Sequence, residues 1–237
     1  WYNEKVLLGD IIIEETSGTS GTPFLCAKTS SERNELAMAL WRMRKKIDKG
    51  VSPKNLFLFS HIPLNKENPN AYDYRPDHIY KLYSKIQDER VRWIHGTPVS
   101  FLNHIKIMKE NEFDFDFSSL KYIECTGYYL REEVQKEIEN HFGVKVINQY
   151  GCIETWPIAL SSANNVLHVN EKAIFFEIID DVGNVIRENN VVGRVVVTSL
   201  CMKLFPFIRY ELGDYAMYVD EPDYDLPGRG IKLVEGR

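Results

Sequence analysis

A run of hydroxyl and glycine residues near the start of the chain could bind phosphate. Residues 16–23 have the sequence TSGTSGTP and follow KVLLGDIIIE, an apolar segment that predicts a strand. Taken alone, this composition favours a flexible turn, because Gly, Ser, Thr and Pro dominate turns. The alternative is a phosphate cradle, in which glycines let backbone N–H groups approach phosphate oxygens and hydroxyls add donors. A Walker-type loop is excluded, because Thr22 rather than Lys follows Gly21.

Two further segments, CTGYYL and QYGCIETW, carry groups suited to nucleotide binding. Each follows a predicted strand, and ligands of open α/β sheets lie beyond the carboxyl ends of strands. We therefore expect Thr126, Gly127, Tyr150 and Gly151 to line one crevice. Tyr150 offers a flat face for a base, and Glu154 offers a carboxylate for Mg²⁺ beside phosphate oxygens. The alternatives are an aromatic residue at the sheet edge and a solvated carboxylate in the first turn of a helix.

A strand–helix–strand pattern positions these two segments. LKYIEC and VKVINQ have strand composition, and the helix predicted between them has Val134, Ile138 and Phe142 on one face. Such a βαβ unit implies a parallel sheet. Upstream, TSSE at residues 29–32 has the spacing of a helix capping box, and Thr97-Pro98 predicts a helix start.

The pattern changes beyond residue 165. AIFFEIID and NVIRE flank a hairpin signal, GRVVVTSL predicts another strand, and no long helical pattern follows. We therefore predict an α/β fold with a parallel-sheet, nucleotide-binding subdomain at residues 1–162. A smaller β-rich, barrel-like subdomain is predicted at residues 163–237.

Bulk composition excludes some functions. The chain has 237 residues, 44% of them hydrophobic, and a formal net charge of −5, which gives no electrostatic case for nucleic acid or an anionic membrane. Neither a membrane-length apolar run nor a signal peptide is visible, and the four cysteines form no C-x-x-C pair. These features predict a cytoplasmic location. A start at Trp1 rather than Met predicts a piece of a longer protein.

Three motifs occur in a characteristic order: residues 16–23, then Y-G-x-x-E at residues 150–154, then FIRYELGDY at residues 207–215. Together they resemble the adenylate-forming, AMP-binding superfamily of acyl-CoA ligases, luciferases and peptide-synthetase adenylation domains. The most similar branch is that of phenylacetate–CoA ligases and related capsule-biosynthesis proteins. The resemblance runs from about residue 14 to residue 237. It implies the core of such an enzyme, with EGR at the end similar to the hinge before a C-terminal domain.

The resemblance implies ATP-dependent activation of a carboxylic acid as an acyl-AMP, with release of pyrophosphate. The acyl group would then pass to a thiol, either that of CoA or the pantetheine of a carrier protein. Three alternatives stay open. The acyl group could go to an amine or a protein, adenylyl could go to an acceptor other than a carboxylate, or the protein could bind nucleotide without turnover.

The resemblance also implies site residues. Glu154 and Thr19 are the predicted catalytic residues, Glu154 is also the predicted Mg²⁺ ligand, Tyr150 is predicted to stack on adenine, and Asp214 to accept the ribose hydroxyls. The predicted ATP or AMP contacts are Thr16, Ser17, Gly18, Thr19, Ser20, Gly21, Thr126, Gly127, Tyr128, Tyr150, Gly151, Asp214 and Arg237.

Some positions depart from the motifs of that branch. Ile153 replaces the usual Ser or Thr, Phe24 the usual Lys or Thr, and Glu211 and Leu212 the usual Arg and Thr. These departures bear on rate and substrate more than on nucleotide binding.

Several aromatic and histidine positions could line an acyl pocket. His61 and Trp156 are the predicted pocket residues, with a histidine in a loop as the alternative for the first. Core packing is expected for Trp93 and Tyr122, and His168 is expected to have only a local structural role.

Overall fold

The computed structural model describes residues 7–8, 10–15, 24–59, 70, 72–162, 166–220 and 226–234. The chain divides into two compact units. Residues 48–149 form one unit, which we call the continuous unit. Residues 1–47 and 150–237 together form the other, the discontinuous unit.

The continuous unit is built on parallel strands, as the sequence predicts. Cys125 lies opposite Asn148 in the pairing of β6 with β7, and α4 connects these two strands. The predicted βαβ unit is therefore confirmed. The elements are β4 (Leu56–Leu58), α2 (Pro76–Asp88), β5 (Trp93–Gly96), α3 (Pro98–Glu110), β6 (Tyr122–Thr126), α4 (Glu132–Phe142) and the first part of β7 (Lys145–Cys152).

Local sequence signals explain where these helices begin and end. Thr97 caps α3, its hydroxyl oxygen accepting from the Ser100 N–H at 3.2 Å, and proline fits the first turn because it has no N–H to satisfy. The helix α4 ends at Gly143, whose φ of +69° is a conformation that glycine adopts without strain. Ile138 and Phe142 on α4 are buried, as the helical periodicity predicts.

The core of the continuous unit is apolar and rich in aromatic rings. Tyr83 and Phe142 stack with ring centroids 5.9 Å apart, and both side chains are buried. Residues from α2, α3 and α4 share this core with residues from β5 and β6. The core includes Phe57, Ile79, Tyr83, Ile94, Phe101, Ile105, Ile123, Ile138 and Phe142.

The discontinuous unit combines both ends of the chain. Its strands pair in the orders β1-β2-β3 and β11-β10-β12-β13-β14-β9-β8, and all of these pairings are antiparallel. Its elements are β1 (Leu7–Leu8), β2 (Ile11–Glu15), β3 (Leu25–Thr29), α1 (Ser30–Ile47), β8 (Trp156–Ser161), β9 (Leu167–Val169), β10 (Ile174–Ile179), β11 (Val185–Ile186), β12 (Gly193–Ser199), β13 (Tyr210–Tyr218) and β14 (Gly230–Val234).

The α/β fold class is confirmed. In the described part of residues 163–237 the structure contains strands and no helix. The predicted boundary near residue 162 marks this change of pattern, and as a domain boundary it stays a prediction. The two compact units are divided by a different criterion, after Ile47 and after Gln149. None of the helices in the described ranges has the length and apolarity needed to cross a membrane.

One prediction at the start of the chain is wrong. KVLLGDIIIE does not form one strand, because β1 and β2 pair antiparallel, with Leu7 opposite Ile12 and Leu8 opposite Ile11. The two residues between them are Gly and Asp, a dipeptide typical of tight hairpins, and this signal outweighs the apolar run.

The predicted capping box is confirmed at the start of α1. The Glu32 N–H donates to Thr29 Oγ1 at 3.1 Å, and the Thr29 N–H donates to Glu32 Oε2 at 2.8 Å. The other carboxylate oxygen of Glu32 accepts from the Leu204 N–H at 2.8 Å. One side chain therefore caps the helix and attaches it to the segment before β13.

Candidate active site

The second motif forms a tight turn, which we call the 150–156 turn, between β7 and β8. An added Cβ on Gly151 would lie 2.3 Å from the Trp156 carbonyl oxygen, so only glycine fits there. Trp156 itself has a φ of +64°, a left-handed conformation that is strained for a bulky residue. The glycine is thus required by the backbone of the turn itself. Glu154 lies in the turn between two strands and not in a helix.

The second and third motifs meet at Tyr150 and Asp214. The Tyr150 hydroxyl donates to Asp214 Oδ2 at 2.8 Å, although the two residues are 64 positions apart in sequence. Asp214 lies on β13, directly after Gly213, whose φ is +76°. Both side chains are half-buried. The predicted adenine-binding residue and the predicted ribose-binding residue are therefore in direct contact.

A second hydrogen bond joins the same two motifs at Glu154. The Tyr210 hydroxyl donates to Glu154 Oε1 at 3.1 Å. Burial and the nearby charge of Glu154 raise the pKa of Tyr210 to about 12, which keeps the phenol protonated as a donor. Tyr210 thereby orients the carboxylate of the predicted metal ligand.

Two cysteine thiols lie close to the same carboxylate. Burial, the largest cause, and the charge of Glu154 raise the pKa of Cys152 to about 12. The pKa of Cys26 is also raised, first by burial and also by Glu154, although Lys28 acts in the opposite direction. Both shifts favour the protonated thiol near neutral pH.

Phe24, one of the departures from the family motif, supports Tyr210. Its ring stacks on that of Tyr210 with centroids 6.5 Å apart, and it also contacts the rings of Phe205 and Phe207 at 5.9 and 6.1 Å. An aromatic cluster thus takes the place of the usual Lys or Thr at this position. Its packing restricts the ring that donates to Glu154.

Lys28, which is not among the predicted site residues, lies on β3 and has a fully buried side chain. Its Nζ lies 2.7 Å from Glu14 Oε2, 2.6 Å from the Ile153 carbonyl oxygen and 3.4 Å from Cys26 Sγ. A signal was present in the sequence. Alternation along β3 places Lys28 on the same buried face as Cys26, where a lysine is rare.

The remaining departures have structural partners. The Ile153 and Leu212 side chains pack against the apolar core of the discontinuous unit. Both carboxylate oxygens of Glu211 accept from Arg194 Nη1, at 2.8 and 2.7 Å, on an exposed surface. Trp156 is half-buried, and the Arg33 guanidinium lies 5.6 Å from its ring centroid.

Residues 126–128 of the continuous unit lie at the carboxyl end of β6, where the sequence predicts them. The Thr126 hydroxyl donates to the Gln149 carbonyl oxygen at 3.1 Å. Gly127 has a φ of +83°, which favours glycine, and Tyr128 is exposed. Their predicted contacts with nucleotide stay a prediction.

Three aromatic and histidine positions have local partners. Trp93 is fully buried and its Nε1–H donates to Asp48 Oδ2 at 2.9 Å, while Tyr122 packs on its ring at 5.1 Å. His168 is buried with Nδ1 3.2 Å from the Gly228 carbonyl oxygen. These contacts agree with the predicted structural roles.

Several predicted site residues lie outside the described residues, and their assignments stay predictions. They are Thr16, Ser17, Gly18, Thr19, Ser20, Gly21, His61 and Arg237.

Comparison with protein-family models and with curated proteins finds no match by sequence. Solved structures do match. An open conformation of 2-hydroxyisobutyryl-CoA ligase, in complex with 2-HIB-AMP and CoA, has a TM-score of 0.76 at 17% identity, covering 96% of this chain and 57% of the ligase. The chain has the fold of this ligase.

Two other enzymes share the fold. Amide bond synthetase McbA from Marinactinospora thermotolerans has a TM-score of 0.65 at 18% identity, covering 94% of this chain and 48% of McbA. A luciferase-like enzyme from the nonluminescent Zophobas morio mealworm has a TM-score of 0.65 at 13% identity, and the match covers 94% of this chain and 56% of that enzyme. The chain therefore spans about half the length of these structures. The fold implied by the resemblance is confirmed, and the phenylacetate–CoA ligase branch stays a prediction.

Proposed function

We propose that the protein activates a carboxylic acid with ATP, forming an acyl-AMP and pyrophosphate, and then passes the acyl group to a thiol. The fold shared with an acyl-CoA ligase supports this proposal. The observation that carries it is the pair of hydrogen bonds between the second and third motifs. These bonds bring Tyr150 to Asp214 and Tyr210 to Glu154 from distant parts of the sequence.

In this proposal Tyr150 and Asp214 bind the nucleoside. The Tyr150 ring stacks on adenine, and its hydroxyl holds one oxygen of the Asp214 carboxylate in place. A carboxylate offers about four acceptor positions, so the bond from Tyr150 leaves acceptor capacity for ribose hydroxyls. The Tyr150–Asp214 bond thereby prearranges the ribose-binding group before the nucleotide arrives.

Glu154 is the proposed ligand for Mg²⁺, and its surroundings fit that ion. It supplies a hard oxygen donor, and the adjacent Tyr210, Cys26 and Cys152 groups are neutral. Within the described residues no group of three or more His, Cys, Asp or Glu side chains could hold a metal. This agrees with an Mg²⁺ ion that takes one or two protein carboxylates and otherwise phosphate and water oxygens. When bound, the ion would neutralise charge on the phosphates.

The proposed first step is a displacement at the α-phosphorus of ATP. A carboxylate oxygen of the acid forms a bond to the α-phosphorus. The bond between the α-phosphorus and the oxygen that bridges it to the β-phosphorus breaks, and pyrophosphate leaves. Little covalent chemistry falls to the protein, which acts by positioning and charge stabilisation. Residues 16–23, with Thr19 as a proposed catalytic residue, would cradle the phosphates, and Arg237 would contact ribose or phosphate. Thr126, Gly127 and Tyr128 would complete the nucleotide contacts.

We propose the acid and the acceptor only as chemical classes. A small carboxylic acid is the proposed substrate, with Trp156 and His61 near its acyl group, and CoA or a carrier-protein pantetheine is the proposed thiol. Acyl transfer to an amine is the second candidate, because an amide bond synthetase shares this fold.

Acid-dependent exchange of labelled pyrophosphate into ATP tests the first step. The full-length protein should give exchange with at least one acid in a panel of aliphatic and aromatic acids, and none without acid. Addition of CoA should then give a thioester, and addition of amines should not. Binding of ATP without exchange across the panel would contradict the proposal and favour a nucleotide-binding protein without turnover.

A further inference from the structure

The buried amino group of Lys28 has a full set of partners. Its three contacts, Glu14 Oε2, the Ile153 carbonyl oxygen and Cys26 Sγ, match the three N–H donors of a protonated lysine. Cys26 Sγ also lies 4.0 Å from the same carbonyl oxygen. Both Lys28 and its carboxylate partner are removed from solvent, with exposed side-chain fractions of 0% and 11%.

Stability alone gives a weak reason for a buried lysine. Burying a charged pair carries a large desolvation penalty, and well-packed apolar residues of similar volume are often as stabilising or more so. Apolar groups pack around β3, since Cys26 and residues of α1 and β8 belong to the core cluster of this unit. A methionine or leucine could fill such a position. A reason for the buried amino group is therefore to be found in the atoms that it contacts.

It points to the peptide that carries Glu154. The Ile153 carbonyl belongs to the same planar peptide group as the Glu154 N–H and Cα. Fixing this oxygen at 2.6 Å from Nζ therefore fixes the start of the Glu154 side chain. The far end of that side chain is held by the Tyr210 hydroxyl at 3.1 Å.

The other partner links this contact to the strands on either side of the predicted phosphate loop. Glu14 lies on β2 and Lys28 on β3, in the pairing where Glu15 is opposite Leu25. Residues 16–24 connect these strands and include the predicted loop. The ion pair at 2.7 Å and the Lys28–Ile153 contact at 2.6 Å thus join β2 and β3 to the 150–156 turn.

We propose that Lys28 is a positioning residue that sets the orientation of Glu154 toward the Mg²⁺-bound phosphates of ATP. This inference rests on the proposed function for the role of Glu154. It assigns Lys28 no contact with the substrate and no part in proton transfer. The effect of losing Lys28 should therefore appear where Glu154 acts and not where Tyr150 and Asp214 act.

The test compares variants of the full-length protein by calorimetry. Lys28→Met removes the amino group at similar length, and Lys28→Met/Glu14→Gln also removes the charge that would be left buried. ATP affinity is measured with excess Mg²⁺ and with EDTA, and AMP affinity is measured separately. The control is Arg92→Met/Asp48→Asn, which removes a partly buried ion pair in the continuous unit.

The expected result separates the two parts of the nucleotide site. The gain in ATP affinity on adding Mg²⁺ should fall at least tenfold in the Lys28 double variant, while its AMP affinity changes less than twofold. The control should keep both values. A folded double variant with the Mg²⁺ dependence of wild type would overturn the proposal, as would equal losses for ATP and AMP. A double variant that cannot fold would assign Lys28 to stability and overturn it as well.

Pyrophosphate exchange by the same proteins, measured beside calorimetry, separates this inference from the proposed function. Wild type that binds Mg²⁺–ATP but gives no acid-dependent exchange contradicts the function only, and the variants still test the role of Lys28 by binding. Wild type that exchanges briskly, with variants that do the same, contradicts the role of Lys28 only. Wild type whose ATP affinity is independent of Mg²⁺ overturns the inference.

Discussion

Each unit holds a buried residue in an ion pair, Asp48 with Arg92 in one and Lys28 with Glu14 in the other, and the two pairs differ in their further partners. In the continuous unit, Asp48 accepts from Arg92 Nη2 at 2.7 Å, from Trp93 Nε1 at 2.9 Å and from the Gly50 N–H at 2.9 Å. All of these partners lie in or beside the ends of secondary structure. In the discontinuous unit, Lys28 pairs with Glu14 and contacts the backbone beside Glu154.

This difference indicates what each pair does. The hydrogen bonds of Asp48 reach Gly50, Arg92 and Trp93, none of which is a predicted nucleotide-binding residue. We therefore expect the loss of Asp48 to lower stability and leave ligand binding intact. The Lys28 cluster ends at the 150–156 turn, so we expect its residues and their neighbours to change ligand binding.

The largest effect is expected at Glu154. Glu154→Gln keeps the shape and removes the charge, so pyrophosphate exchange should fall at least a hundredfold, about 3 kcal/mol of transition-state stabilisation. Glu211→Gln is the control, since Glu211 pairs with Arg194 on an exposed surface. Steady-state exchange rates and thermal unfolding of both variants provide the measurement. Near wild-type exchange in Glu154→Gln would remove Glu154 from the site.

Asp214 should give the next effect, on nucleotide affinity. A charged hydrogen-bond acceptor contributes roughly 1.5–3 kcal/mol, so Asp214→Ala should bind ATP about ten- to a hundredfold more weakly. The loss should be smaller for 2′-deoxy-ATP, because one ribose hydroxyl is already absent. Calorimetry with both nucleotides measures this, with Asp180→Ala in the β10–β11 hairpin as control. If the variant prefers ATP over 2′-deoxy-ATP as strongly as wild type does, Asp214 does not contact the ribose.

Asp48 should affect stability and not binding. Burial would raise its pKa, but hydrogen bonds from Arg92, Trp93 and the Gly50 N–H outweigh burial and lower it to about 2 from 3.8. A lowered pKa means that the ionised carboxylate stabilises the fold above about pH 4, and that this contribution is lost as the pH falls toward 2. Asp48→Asn should therefore cost on the order of 2 kcal/mol at neutral pH.

Urea unfolding of wild type and Asp48→Asn across this pH range checks the sign. The difference between the two proteins should shrink as the solution is acidified, and AMP affinity at neutral pH should be equal. A difference that is constant from neutral pH to pH 3 would show that the charge of Asp48 is not the source of the stability.

Ile153 should give the smallest effect, and it separates two readings of the protein. If the missing hydroxyl limits the rate, Ile153→Thr should raise pyrophosphate exchange a few-fold, while Ile153→Val, of the same shape as Thr, should not. Both variants lose packing against the apolar core and should unfold at slightly lower temperature. Equal rates for Thr and Val would mean that no hydroxyl is needed there. Brisk exchange by wild type would exclude a protein without turnover.

Local signals made much of the fold predictable. The βαβ unit, the Thr29–Glu32 capping box and the Thr97 cap depend on residues a few positions apart, and the structure confirms each of them. The single strand predicted for KVLLGDIIIE failed for a local reason too, since the Gly-Asp pair between β1 and β2 outweighs the apolar run.

The site was less predictable because its contacts are distant in sequence. The motifs gave Tyr150, Glu154 and Asp214 by resemblance, yet the bond between Tyr150 and Asp214 spans 64 positions and that between Lys28 and Ile153 spans 125. No periodicity connects such positions. The strain at Trp156 was equally hidden, because a left-handed backbone at a tryptophan follows from the turn and not from the residue type.

The division of the chain has a consequence for the order of folding during synthesis. Residues 48–149 are continuous, so this unit can form as soon as they have left the ribosome. The first 47 residues belong with residues 150–237, so their contacts with that part must wait for about a hundred residues to be made. The Lys28–Ile153 and Glu32–Leu204 contacts join residues 125 and 172 positions apart. Such distant contacts form slowly, so the surface of the N-terminal segment that packs on residues 150–237 stays open to chaperones during this interval.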